Sequence, residues 1–248
     1  MIPVLSMRGV IRRRILVNFR VDPEVVQRQL PPPFRPKLLD GEAVAGICLI
    51  RLERLRPRFL PVAAGLASEN AAHRVAVEWE DADGQVREGV YIPRRDSDSP
   101  PNRLLGGRLF PGEHHAARFA VREAASVIEL AVRSADGRVA VELRARPAAA
   151  LPPTSRFPSL AAASAFFQAG SVGYSTRRRG GLEGLRLATR AWRIEPLAVE
   201  RVYSSYFADS RLFPPGAVFF DCALLMRHVE HEWHALPPMP TDGQWVAA

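Results

Sequence analysis

The chain has 248 residues, 47% hydrophobic and 24% charged, and its net charge of +8 is carried almost wholly by arginine, Lys37 being the single lysine. The composition is that of a globular protein, and the arginines are scattered through strand-like apolar runs rather than gathered into a phosphate-tracking stripe, which argues against nucleic acid as a partner. No apolar run reaches the ~18 residues of a membrane span, two cysteines do not make a disulfide scaffold, and an apolar stub followed by arginines reverses the order of a secretory signal, so a cytoplasmic protein without a membrane partner is expected.

In chain order, "VDPEVVQRQLPP" predicts a short helix, with Asp22 as N-cap, Pro23 at the first helical position and Pro31 as a stop. "AVAGICLIRL" is apolar on both faces, as a central strand is. Cys48 within it, like Cys222 in "FFDCALLM", reads as a small buried hydrophobe. "HRVAVEWEDADGQVREGVYI" alternates on both sides of the turn at Asp81–Gly84 and predicts a hairpin. "DSPPNRLLGGRLF" suggests a short helix opened by Ser99 and Pro100.

A second hairpin is expected where Ile128, Leu130 and Val132 precede Ala135-Asp136-Gly137 and Val139, Val141 and Leu143 follow it. Residues 146–158, rich in Pro and Ala, read as a linker between two β-rich halves. "PSLAAASAFFQAG" carries the strongest helix signal, from Ser159 to Gly170. Further strands are expected in "LRLATRAWRI", "LAVERVYSSYF" and "AVFFDCALLMRHV". Strands dominate and no βαβ rhythm is present. The expectation is a β-rich α+β fold: an antiparallel β-barrel with a few inserted short helices, one domain over residues 1–235, and a flexible tail over 236–248.

Several segments taken together resemble a known group: "VNFRVDPEVVQRQLPPPFRPKLLDGEAVAGICLIRL", "GVYIPRRDSDS", "LFPGEHHAARF", "GSVGYS" and "FDCALLMRHVEHEWH". The resemblance is to a YqjF-like bacterial family of unknown function, DUF2071, which is similar in fold to acetoacetate decarboxylase. It implies a decarboxylase-like barrel around a small-molecule cavity. The decarboxylase works through a lysine that forms a Schiff base after an aromatic-Pro turn. Phe110-Pro111 fit that turn, but Gly112 and Glu113 stand where the lysines would be. Lys37, in "FRPKLLDG", reads as a solvated loop lysine, and arginine stays protonated and cannot replace it. Imine chemistry is therefore not expected.

Histidines 114 and 115 are adjacent, so on a strand they face opposite ways. The resemblance turns His115 inward with Ala117 and Phe119, as a general base, a donor to a ligand carbonyl, or a hydrogen-bonded structural group. Glu69, on one face with Ala71, His73 and Val75, resembles a cavity-lining acid of the decarboxylase-like families. It would either deliver a proton or pair with an arginine. Arg94 and Arg95 at a barrel mouth would hold a carboxylate, or pair structurally with Asp96. Glu113 and Phe119 complete the candidate ligand site.

His228, His231 and His234 are three apart; on a strand that spacing breaks a metal cluster, so no metal and no cofactor is expected. The functional expectation is binding of a small carbonyl- or carboxylate-containing molecule. The alternatives are a non-covalent acid–base enzyme of the lyase or isomerase type using His115 and Glu69, or a structural or regulatory interaction protein. Self-association as a homo-oligomer is compatible with any of these.

Overall fold

A computed structural model describes residues 6–106, 111–177 and 180–239, without the side chain of Leu105. Strands make up 59% of the chain and helices 10%. The strands are β1 (Ser6–Val21), β2 (Arg35–Pro36), β3 (Leu38–Leu39), β4 (Glu42–Pro57), β5 (Leu66–Glu80), β6 (Val86–Ser97), β7 (His114–Glu123), β8 (Ile128–Ser134), β9 (Ala140–Pro147), β10 (Val172–Thr176), β11 (Leu182–Thr189), β12 (Glu195–Ser204) and β13 (Val218–Met239). The helices are α1 (Pro23–Gln27), α2 (Pro100–Leu105) and α3 (Leu160–Ala169). Each helix starts where its N-cap predicts. Asp22 accepts from Glu24 and Val25, Ser99 from Asn102, and Ser159 from Ala162. Both expected hairpins form, β5–β6 and β8–β9.

All the strands belong to one 13-stranded sheet. Two strands are shared along their length. The first half of β13 pairs with β12 and its second half with β11, while β1 runs along its other edge. Likewise β6 meets β10 at Val90 and Tyr91, and β7 from Arg95 to Ser97. The pairings therefore close two circuits through a common β13-β1-β4-β5-β6 layer. One returns through β10 and β11 and has seven strands; the other returns through β7, β8, β9 and β12 and has nine. The strands are not spaced evenly round an axis, so the pairings do not confirm the antiparallel β-barrel expected from the sequence.

Within the common layer β4 is apolar on both faces, which is why it reads as a continuous apolar run. Its odd-numbered residues, Ala45, Ile47 and Leu49, join a core packed with β8 and β9 residues such as Ile128, Val132 and Val141. Its even-numbered ones, Val44, Cys48 and Ile50, face a second cluster completed by Phe157, Ala163 and Phe167. The expected linker is thus anchored: Phe157 is buried, and Ser155 donates to Asp221 at 2.8 Å. Strand β13 runs past the expected boundary at 235 to Met239, because Leu236 and Met239 pair with Gly184 and Leu182. The rest of the expected tail lies outside the described residues, as do Phe110, Arg178 and Arg179.

Candidate functional site

On the second face lies a cavity of about 190 Å³. Every strand of the seven-strand circuit lines it, with Arg14 from β1, Cys48 from β4, Arg74 from β5, Arg95 from β6, Gly173 from β10 and Leu187 from β11 among the contributors, and Trp233 from β13. Small residues line the space: Ala72, Gly170 and Gly173 stand in its wall where larger side chains would intrude. Most of the wall is apolar, and the exceptions are chemically pointed.

The parallel pairing of β6 with β7 sets Arg95 beside His114 and Asp96 beside His115. His114 therefore lines the cavity. His115 falls on the face of Ala117, which belongs to the packed core, and Phe119 packs against that core. This reverses the expected orientation. Alternation correctly separates the two histidines, but the face toward the nine-strand circuit is filled with side chains and the cavity is on the other side. His114 Nδ1 lies 2.9 Å from the Gly112 carbonyl and must donate to it. Burial, with Arg95 nearby, pushes the imidazole down to about 3, so it is neutral through the physiological range.

Gly112 has φ +98, and a β-carbon there would collide with the Arg95 guanidinium. Its N–H donates to Glu183 at 2.7 Å, which holds the turn against β11. Arg95 in turn donates to Ser175 Oγ, whose hydroxyl donates to the Ile92 carbonyl at 2.8 Å. Burial pulls the Arg95 guanidinium down to about 10. Asn70 gives the wall a satisfied polar patch, donating to Ser68 Oγ at 2.9 Å and accepting from Ser97 Oγ at 2.7 Å.

Two further arginines complete the cavity. Arg74 is 4% exposed; it donates to Asn18 Oδ1 and stacks 4.9 Å from the Phe167 ring, yet its Nε and Nη1 are buried without a partner. Arg14 donates from Nε to Cys48 Sγ at 3.3 Å, and its Nη1 is also buried without a partner. Among the described residues no carboxylate forms an ion pair with Arg14, Arg74 or Arg95. The buried arginines of the opposite face are paired. Arg13 binds Glu69 at 2.6 Å and Glu123 at 3.3 Å, and Arg94 binds Asp96 at 2.8 Å and Asp136 at 2.9 Å.

Of the residues expected from the sequence, only Arg95 lines the cavity. Arg94 is consumed by its two aspartates. Glu69 is held by Arg13; burial pushes its carboxyl up while Arg13 pulls it back. Glu113 is half-buried in the turn before β7 and does not line the cavity. Lys37 is not the solvated loop residue expected. Its side chain is 17% exposed, its ammonium sits 2.5 Å from Glu88 and 4.3 Å from the Phe166 ring centre, and it borders a small recess that shares Arg14 and Arg74 with the main cavity. His228, His231 and His234 lie along β13; His231 is buried, and His234 meets Ser6 and Glu232.

The residues that sequence reading missed are His114, Arg14, Arg74 and Cys48. A signal existed for Arg74: it shares its strand face with Asn70, Ala72 and Ala76, a charge among small residues on a strand buried on both sides.

Comparison with curated proteins returned no match. Among solved structures, an acetoacetate decarboxylase-like enzyme from Sphingomonas wittichii RW1 superposes with a TM-score of 0.62 at 13% identity, over 96% of this chain and 93% of that one. The acetoacetate decarboxylase of Legionella pneumophila gives 0.58 at 13% identity, over 95% and 89%. The enduracididine biosynthesis enzyme MppR, in complex with the condensation product of pyruvate and imidazole 4-carboxaldehyde, gives 0.57 at 15% identity, over 96% and 90%. These likenesses establish an acetoacetate decarboxylase-like fold. The family profile matches residues 10–222, and the chain belongs to DUF2071, a family of uncharacterized conserved proteins.

Proposed function

We propose that the cavity binds a small organic carboxylate, with the anion seated on Arg74 and its apolar body against Ile50, Leu52 and Leu187. One observation carries the reading: a guanidinium almost wholly removed from water keeps two nitrogens without partners among the described residues, beside an apolar cavity where no described carboxylate pairs with it. An unpaired buried charge costs several kcal/mol, and an anionic ligand offsets that cost through charge-assisted hydrogen bonds. Arg95 supplies further donors at the β6–β7 end, suited to a carbonyl on the ligand, and the neutral His114, whose Nδ1 hydrogen is committed to Gly112, offers Nε2 as an acceptor for a ligand hydroxyl. A protein of the same fold, MppR, is complexed with the condensation product of pyruvate and imidazole 4-carboxaldehyde, which supports a small organic acid as the class of ligand.

The test is thermal unfolding of the purified protein against small carboxylates and their neutral amides. Stabilisation by acids but not by amides, lost in Arg74→Gln, is expected; equal effects of both classes would remove the proposal. Catalysis through an imine is not part of this reading, because Lys37 is engaged by Glu88 and Phe166. Borohydride treatment with a 2-oxo acid should leave Lys37 unmodified in a peptide mass spectrum, and an adduct there would show that the amine is free to react. A second reading, acid–base turnover of the lyase or isomerase type, is favoured at His114, since its ring borders both the cavity and Arg95. Loss of turnover in His114→Gln far beyond any loss of carboxylate affinity would separate it from binding alone.

A further inference from the structure

We propose that Cys48 is a nucleophile of this cavity, directed at small carboxylates that carry an electrophilic carbon. The proposal rests on the carboxylate site above and adds the atom that forms a bond. Cys48 is 8% exposed, and its face of β4 is the one that lines the cavity. Its sulfur accepts the Arg14 Nε–H at 3.3 Å, and Arg74 interacts electrostatically with it as it does with Cys222. Cationic neighbours together with access from a cavity are the setting in which a cysteine sulfur reacts.

The thiol alone would say little. The same wall presents Arg74, with Nε and Nη1 unpartnered, and Arg14, with Nη1 unpartnered. These groups demand an anion, and a carboxylate that satisfies them brings its adjoining carbon to the sulfur. Cys222 provides the internal contrast. It is fully buried, lies outside the cavity wall, and burial pushes its thiol up to about 12.

In the step, a sulfur lone pair forms the S–C bond while the thiol proton leaves to water. With a 2-halo acid the carbon–halogen bond breaks and halide departs. With a 2-oxo acid the carbonyl π pair moves to oxygen, which takes a proton back from water and leaves a thiohemiketal. Neither route needs an oxidant or a reductant.

The experiment alkylates the folded full-length protein with iodoacetate and, separately, with iodoacetamide. Peptide mass spectrometry locates the label, and the rate ratio is divided by that of free N-acetylcysteine. Labelling at Cys48 and not Cys222 is expected, with a normalised preference for iodoacetate of about tenfold, equivalent to ~1.4 kcal/mol. Arg74→Gln should bring the preference close to one, and propionate should protect Cys48 in the unsubstituted protein. An unreactive Cys48, a preference unchanged in Arg74→Gln, or no protection by propionate would each overturn the proposal. Thermal shifts on the unsubstituted protein separate the two levels: carboxylate stabilisation without Cys48 labelling defeats the nucleophile and leaves the binding site standing, while loss of both defeats both.

Discussion

Replacing Arg74 with methionine should make the ligand-free protein more stable and deprive it of its ligand. Arg74 is 4% exposed, so solvent does little to screen its charge. Burial pulls its guanidinium down to about 10, against about 12.5 for an ordinary arginine. At about 1.36 kcal/mol per decade, holding the charge in place costs roughly 3 kcal/mol. That cost is constant through neutral pH, since the group stays protonated at any pH below its folded value.

Methionine keeps an apolar stem against Phe167 and removes the charge. It also takes away the donor to Asn18 Oδ1, leaving a buried acceptor that costs about 1–2 kcal/mol. The net expectation is a gain of roughly 1–2 kcal/mol, or a rise of roughly 2–8 °C in Tm for a chain of this size. Urea denaturation with and without a stabilising carboxylate measures both halves. Arg74→Met should unfold at higher urea than the unsubstituted protein and show no further gain with ligand. A variant destabilised by more than about 1 kcal/mol that still responds to carboxylates would refute the claim that this charge is unpaired and awaits an anion.

Three other outcomes follow from the same geometry. Burial holds His73 and His114 down at about 3 and His231 at about 4. The unfolded chain therefore takes up protons first as pH falls below about 6.5, and each site removes up to about 1.4 kcal/mol per pH unit from there to its folded value. Denaturation midpoints at pH 7.5, 6 and 5 should fall in that order, and a flat profile would contradict it. Gly112→Ala must adopt a φ near +98 and displace Arg95; a loss of about 1–2 kcal/mol in stability with weakened carboxylate binding is expected, read by thermal shift. Glu69→Gln leaves Arg13 with Glu123 alone and should cost roughly 2–3 kcal/mol while leaving carboxylate affinity unchanged, and weakened binding in titration calorimetry would return Glu69 to the site.

Much of the local structure is readable in the chain. Asp22, Ser99 and Ser159 mark helix starts because a side-chain oxygen accepts N–H groups that the first turn leaves free. The Asp81–Gly84 and Asp136-Gly137 turns join strands whose alternation is unambiguous. The site was far less legible. Arg94 and Arg95 are equivalent in sequence, yet one faces Asp96 and Asp136 and the other faces a cavity. Lys37 looks like a loop residue because its partners, Glu88 and Phe166, are supplied by segments far along the chain. Cys48 reads as a small hydrophobe because nothing local shows that Arg14, on the neighbouring strand, reaches its sulfur.

The linear chain by itself determines the strand-rich class, the helix caps, the hairpins, and the rule that His114 and His115 point apart, since these follow from backbone geometry within a few residues. Tertiary pairing alone decides which of them meets the cavity. Strands β4, β5 and β6 are covered on both sides, so alternation labels two faces without saying which is packed solid and which is hollow. Only the return of β10 and β11 to β13, closing the shorter circuit, creates the hollow side, where among the described residues no carboxylate forms an ion pair with Arg14, Arg74 or Arg95.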